Sequence, residues 1–80
     1  MAVSALQREF GLRVRRFREA AGLSQEDLAF RARLTRTYVT QIECGKRDPS
    51  LSTIGRLAGA LTVDLPQLLA IPLSPRGEPR

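Results

Sequence analysis

Residues 22–47 read GLSQEDLAFRARLTRTYVTQIECGKR, and the fold turns on how that stretch divides. Gly22 stands where a left-handed residue stops a preceding helix, and Leu23 is the apolar residue that closes such a stop. Ser24-Gln25-Glu26-Asp27 starts a new helix at once, with Ser24 as N-cap and acids in the first turn. Leu28 and Ala29 face inward, and this helix is over by about Ala32. Thr35 caps a third helix whose buried stripe is Val39 and Ile42, and Gly45 ends it.

Outward from this stretch the chain stays helical. Upstream, Leu6, Phe10, Val14, Phe17 and Ala21 form one helix face, with Arg8, Arg13, Arg15 and Arg16 as a solvated face and Ser4 as the cap. Downstream, residues 46–50 are loop chemistry, and Ser50 caps a fourth helix with an inner face of Leu51, Ile54, Leu57, Ala58 and Leu61. Asp64 caps a short fifth helix that tolerates Pro66 in its first turn. Past Ile71 the composition predicts a disordered tail. No segment alternates like a strand. The expected architecture is all-α, with five helices in one domain over residues 1–71 and a tail over 72–80.

Composition narrows the function classes. The chain has 80 residues, 42% of them apolar and one of them cysteine, with no histidine. A domain of this size hides only about 60% of its unfolded surface and usually needs a prop. Internal disulfides and zinc clusters are excluded by the Cys and His counts, which leaves a partner subunit. The same counts remove the commonest general bases and nucleophile pairs, so neither an enzyme nor a cofactor is expected. Thirteen basic residues against eight acids give a net charge of +5, and twelve of the thirteen are Arg, whose planar fork pairs with phosphate and guanine. With no apolar run of 18, no signal peptide and no lipidation motif, a soluble cytoplasmic protein without a membrane role is expected.

Only Arg33, Leu34 and the capping Thr35 join the second helix to the third, so the two must cross steeply, as in a helix-turn-helix. The small Ala29 suits the point where they press together. Residues 22–29, and then Ile42-Glu43-Cys44-Gly45-Lys46-Arg47, resemble the Cro/C1-type (XRE) helix-turn-helix family over about Val14 to Leu69. Arg36-Thr37-Tyr38, in so short a chain, resembles the controller proteins of restriction–modification systems. Those resemblances imply a lambda-repressor-like fold and an ion pair between Arg18 and Glu43. They also imply a regulator that binds upstream of its own gene and the endonuclease gene, with RNA polymerase as a further partner. A phage-type or chromosomal repressor, or the DNA-binding antitoxin of a toxin–antitoxin pair, are the alternatives. The family often has Gly or Asn where this chain has Arg33, at a cost of roughly 1 kcal/mol if Arg33 takes positive φ.

A third helix laid in the major groove shows its N-terminal residues to base edges. With Val39 and Ile42 inward, Arg36, Thr37, Thr40 and Gln41 point outward and Tyr38 lies on the flank. Arg36 suits guanine, Gln41 adenine, and the two threonines thymine. Ser24, Gln25, Arg33, Lys46, Arg47 and Ser52 or Thr53 are candidates for the phosphates of double-stranded DNA. Phe10, Phe17 and Phe30 are expected on the core or helix faces, which leaves too few aromatics for a single-strand binder. Cys44 is expected to be small and half-buried. Leu61, Val63, Leu65, Leu68 and Leu69 exceed what one flank of the core absorbs, so a homodimer interface is expected there. Its two recognition helices would lie about 34 Å apart on a palindromic operator.

Overall fold

A computed structural model describes residues 2–71; the expected tail over 72–80 lies outside the described residues. Five helices follow one another: α1 (Ala2–Ala20), α2 (Gln25–Ala32), α3 (Arg36–Glu43), α4 (Leu51–Leu61) and α5 (Leu65–Leu68). Among the described residues there is no strand, and no helix is long and apolar enough to cross a membrane. The core is built from Phe10, Val14, Leu28, Ala29, Ala32, Val39, Ile42, Leu57, Ala58, Leu61 and Leu68. Helix α3 packs against α1 and α2, and α4 packs against α2.

The helix starts follow from side-chain chemistry. Ser24 Oγ accepts the Asp27 N–H at 2.9 Å, and the Ser24 N–H donates back to Asp27 Oδ2 at 3.0 Å, a reciprocal box that satisfies two orphan donors. Those bonds hold the Asp27 carboxyl below its usual range, the backbone N–H of Ser24 contributing most. Thr35 and Ser50 each accept the N–H three residues on, and Asp64 does so in a second reciprocal box with Gln67.

The ends are equally specific. After α1 the Leu23 N–H reaches Arg18 O and the Gly22 N–H reaches Glu19 O, with Gly22 left-handed at φ 73. After α3 the Lys46 N–H reaches Gln41 O and the Gly45 N–H reaches Ile42 O, with Gly45 at φ 74. Arg33 does adopt positive φ, at 59, so a non-glycine residue closes α2 and makes the steep turn into α3. Its N–H bonds Phe30 O at 3.2 Å and the Leu34 N–H bonds Ala29 O at 2.8 Å, which offsets part of the strain.

Several expectations need correction. Ser4 lies inside α1 and is not its cap. Leu6 and Ala21 are exposed, so the buried face of α1 is shorter than the spacing predicts. Leu51 is 72% exposed, because an N1 residue stands at the rim of its helix and the inner face begins two positions later at Thr53. Phe30 is 85% exposed: Leu28, Ala29 and Ala32 turn inward, which puts position 30 on the far side of a two-turn helix. Cys44 is exposed at the end of α3. Arg13 is not simply solvated, since its guanidinium donates to the backbone oxygens of Gln67 and Leu68 and ties α1 to α5.

Two of the proposed interface residues are core. Leu68 has no exposed surface and Leu61 only 5%, because α5 folds back across α1 and α4 and uses them to close the bottom of the domain. Leu65 and Leu69 remain on the surface, with Val63 between the two conditions.

Candidate nucleic-acid interface

Helix α3 buries Val39, Ile42 and Glu43 and turns the rest of its length outward. Arg36, Thr37, Thr40 and Gln41 together line a shallow hollow of about 380 Å³. Four of the five expected base-facing residues therefore share one surface. Tyr38 stands on the flank, half-buried and packed on the core, with the Arg47 guanidinium carbon 5.1 Å from its ring centroid. Arg47 also donates from Nε to Gln41 Oε1 at 2.7 Å.

A polar chain fixes how this helix is held. Arg18 on α1 donates from Nε to Glu43 Oε2 at 2.7 Å and from Nη2 to Glu43 Oε1 at 3.1 Å, while its Nη1 donates to Leu23 O at 2.9 Å. The Glu43 side chain is 4% exposed, and its bond raises the Arg18 guanidinium further above its already high value. Gln25 Nε2 donates to Glu43 Oε1 at 3.0 Å, and the Thr40 hydroxyl donates to Gln25 Oε1 at 3.0 Å. One network thus joins the end of α1, the start of α2 and the outer face of α3. The ion pair implied by the family resemblance is present.

That network alters one expectation. Each end of the Gln25 side-chain amide makes one bond within the protein, which fixes the side chain against Glu43 and Thr40, while its second Nε2–H and the backbone N–H stay outside the network. The Ser24 hydroxyl oxygen accepts the cap bond of α2, which leaves its O–H as a donor. Lys46 and Arg47 are exposed in the loop after α3, and Ser52 is exposed in the first turn of α4. Thr53 is not available: it is buried, and its hydroxyl oxygen accepts from Ser50 at 3.0 Å. Arg33 lies apart from this face, in a separate groove with Arg31 and Arg56 between the ends of α2 and α4. Among the described residues no group of His, Cys, Asp and Glu is arranged to hold a metal.

Residue 11 was missed by the sequence reading. A Cβ there would lie 2.2 Å from Ile42 O and 2.9 Å from Glu43 O, so only glycine lets α1 approach the carbonyl end of α3. A lone glycine inside a helical pattern was the available signal.

Residues 14–68 match the family model described as Helix-turn-helix. The chain belongs to that family. It is a DNA-binding regulatory family rather than an enzyme family, and the matched residues run from the middle of α1 to the last residue of α5. The chain is 44% identical over 61 residues to control protein C.BamHI from Bacillus amyloliquefaciens, covering 75% of either chain. It is 40% identical over 55 residues to an immunity repressor of Bacillus phage phi105, covering 69% of this chain and 38% of the repressor. The crystal structure of the restriction–modification controller protein C.AhdI from Aeromonas hydrophila superposes with a TM-score of 0.78 at 47% identity. That match spans 80% of this chain and 97% of the other. This chain is thus a helix-turn-helix DNA-binding regulator that resembles controller proteins, and α2 and α3 are its motif.

Proposed function

We propose that this chain is the controller protein of a restriction–modification system, acting in the cytoplasm as a homodimer on a palindromic operator. It binds upstream of its own gene and the endonuclease gene, activating through RNA polymerase at low occupancy and repressing at high occupancy. The observation that carries this reading is the 47% identity to a solved controller protein across nearly all of that protein's length. Base reading falls to the α3 surface, with Arg36 on guanine and Thr37, Tyr38, Thr40 and Gln41 beside it. Lys46, Ser52, the terminal nitrogens of Arg47 and the first N–H groups of α2 hold phosphates.

The decisive contrast is between two losses of one positive charge. Arg36→Ala is expected to cost about 1–3 kcal/mol, concentrated at one base pair of each half-site. Lys46→Ala weakens all sequences alike and lowers the salt slope by about one phosphate per subunit. Binding to the operator and its single-base variants over a salt series separates the two. A uniform loss for Arg36→Ala would remove guanine reading from this residue.

Assembly is tested at Leu69, 40% exposed beside an apolar cleft of about 110 Å³ that Leu6, Phe10, Ile54 and Ile71 help line. A second copy covering that surface would remove it from water. Leu69→Glu is expected to yield a folded monomer with weaker operator binding, read by sedimentation at micromolar concentration. Leu68→Glu, by contrast, should unfold the chain, because it places a charge in the core. A parent that stays monomeric both free and on DNA would overturn the dimer.

A phage-type repressor is the second reading, favoured by the 40% identity to the phi105 immunity repressor. The neighbouring genes decide between them: a methyltransferase and endonuclease pair supports the controller, and its absence the repressor.

A further inference from the structure

The Gln41 amide does not present its two ends equally. The Arg47 Nε–H lies 2.7 Å from Gln41 Oε1, and a guanidinium carries donors only, so the amide oxygen and not its nitrogen must face Arg47. The guanidinium is itself seated over the ring of Tyr38, whose half-buried position against the core makes the ring a fixed shelf. The outward end of Gln41 is therefore its NH₂ group. Its oxygen keeps a second lone pair, but a donor approaching there meets the positive charge of Arg47.

We infer that Arg47 is a positioning residue that sets the polarity of Gln41, so that position 41 reads base edges rich in acceptors. The inference rests on the reading that α3 lies in the major groove. A glutamine free to use both ends pairs with adenine, accepting from N6–H and donating to N7. With Arg47 against the oxygen, the adenine amino group is opposed by a cation, as is the amino group of cytosine. Guanine, with acceptors at N7 and O6, and thymine, with O4, suit the exposed NH₂. The neighbouring Thr40 has its hydroxyl proton committed to Gln25, so it shows a lone pair and a methyl rather than a donor. Gln41 is thus the donor beside an acceptor on the same surface.

Selection from a randomised duplex library tests this, using the full chain, Gln41→Ala, Arg47→Ala and Arg47→Lys. Gln41→Ala identifies the base pair that position 41 reads. At that pair the parent is expected to select G·C, whose guanine sets two acceptors side by side, and Arg47→Ala to shift the selection toward A·T by about tenfold, the scale of one two-point contact. Arg47→Lys keeps a cationic donor and should retain the parent's preference. A purely phosphate-holding Arg47 would lower affinity and leave the preference unchanged. The inference is overturned if Arg47→Ala selects the same base pair as the parent, if the parent already selects A·T there, or if Gln41→Ala changes no position. A parent that selects no sequence at all overturns the underlying reading of α3, and this one with it.

Discussion

Arg18→Ala is expected to lower the stability of the fold by about 3–5 kcal/mol, the usual cost of breaking a buried ion pair by removing one partner. The loss is large because Glu43 has nowhere to go: its side chain is 4% exposed and would keep only the Gln25 amide as a partner. Arg18 also closes the α1–α2 turn through Leu23 O, so the same change leaves a carbonyl without that donor. Eighty residues at about 0.05–0.15 kcal/mol each amount to about 4–12 kcal/mol in total, so the variant would lose between about a quarter and all of its stability. Replacing both residues, Arg18→Met with Glu43→Leu, should cost far less, since no charge is then left stranded in the interior. Thermal melts of both singles and the double form the cycle. Singles that melt like the parent would make the pair a spectator.

The pair is also where local and distant chemistry part company. Every internal N-cap of this domain was legible in the sequence, because Ser24, Thr35, Ser50 and Asp64 each satisfy an N–H three residues away. The same holds for the stops at Gly22 and Gly45; at Arg33 the sequence leaves both a left-handed residue and a different turn open, and the structure takes the first. What the sequence did not disclose was decided across the fold. Gln25 looks like a free amide at a helix start, yet its partners Thr40 and Glu43 stand fifteen and eighteen residues away. Thr53 looks like a surface hydroxyl, but its side chain is buried and its oxygen accepts from Ser50. Leu61 and Leu68 looked surplus because the space to be filled beneath α1 and α4 cannot be counted from composition. Phe30 was misplaced for a related reason: two helical turns give a stripe too short to locate its own edge.

Gly11→Ala should be the other strongly destabilising change, although helix propensity argues the opposite. In an exposed helix interior, alanine in place of glycine gains up to about 1 kcal/mol. Here the added methyl would lie 2.2 Å from Ile42 O and 2.9 Å from Glu43 O. Both are backbone atoms at the end of α3, so no rotamer change relieves the overlap and the helices must separate. Overpacking costs typically about 1–3 kcal/mol and occasionally more, and a clash of backbone on both sides belongs at the top of that range. The clash therefore wins, with a net loss of about 2 kcal/mol or more. The displacement falls on Ile42 and Glu43, the residues that seat α3 on the core and on Arg18, so DNA affinity should fall beyond what the unfolded fraction explains. Gly55→Ala is the matched control, since a Cβ there meets nothing within 4 Å and should be neutral or slightly stabilising. Denaturant melts of both variants decide the matter, with operator binding measured under conditions where each remains folded. If Gly11→Ala melts at or above the parent, α1 and α3 are not in the close approach that holds the recognition helix in place.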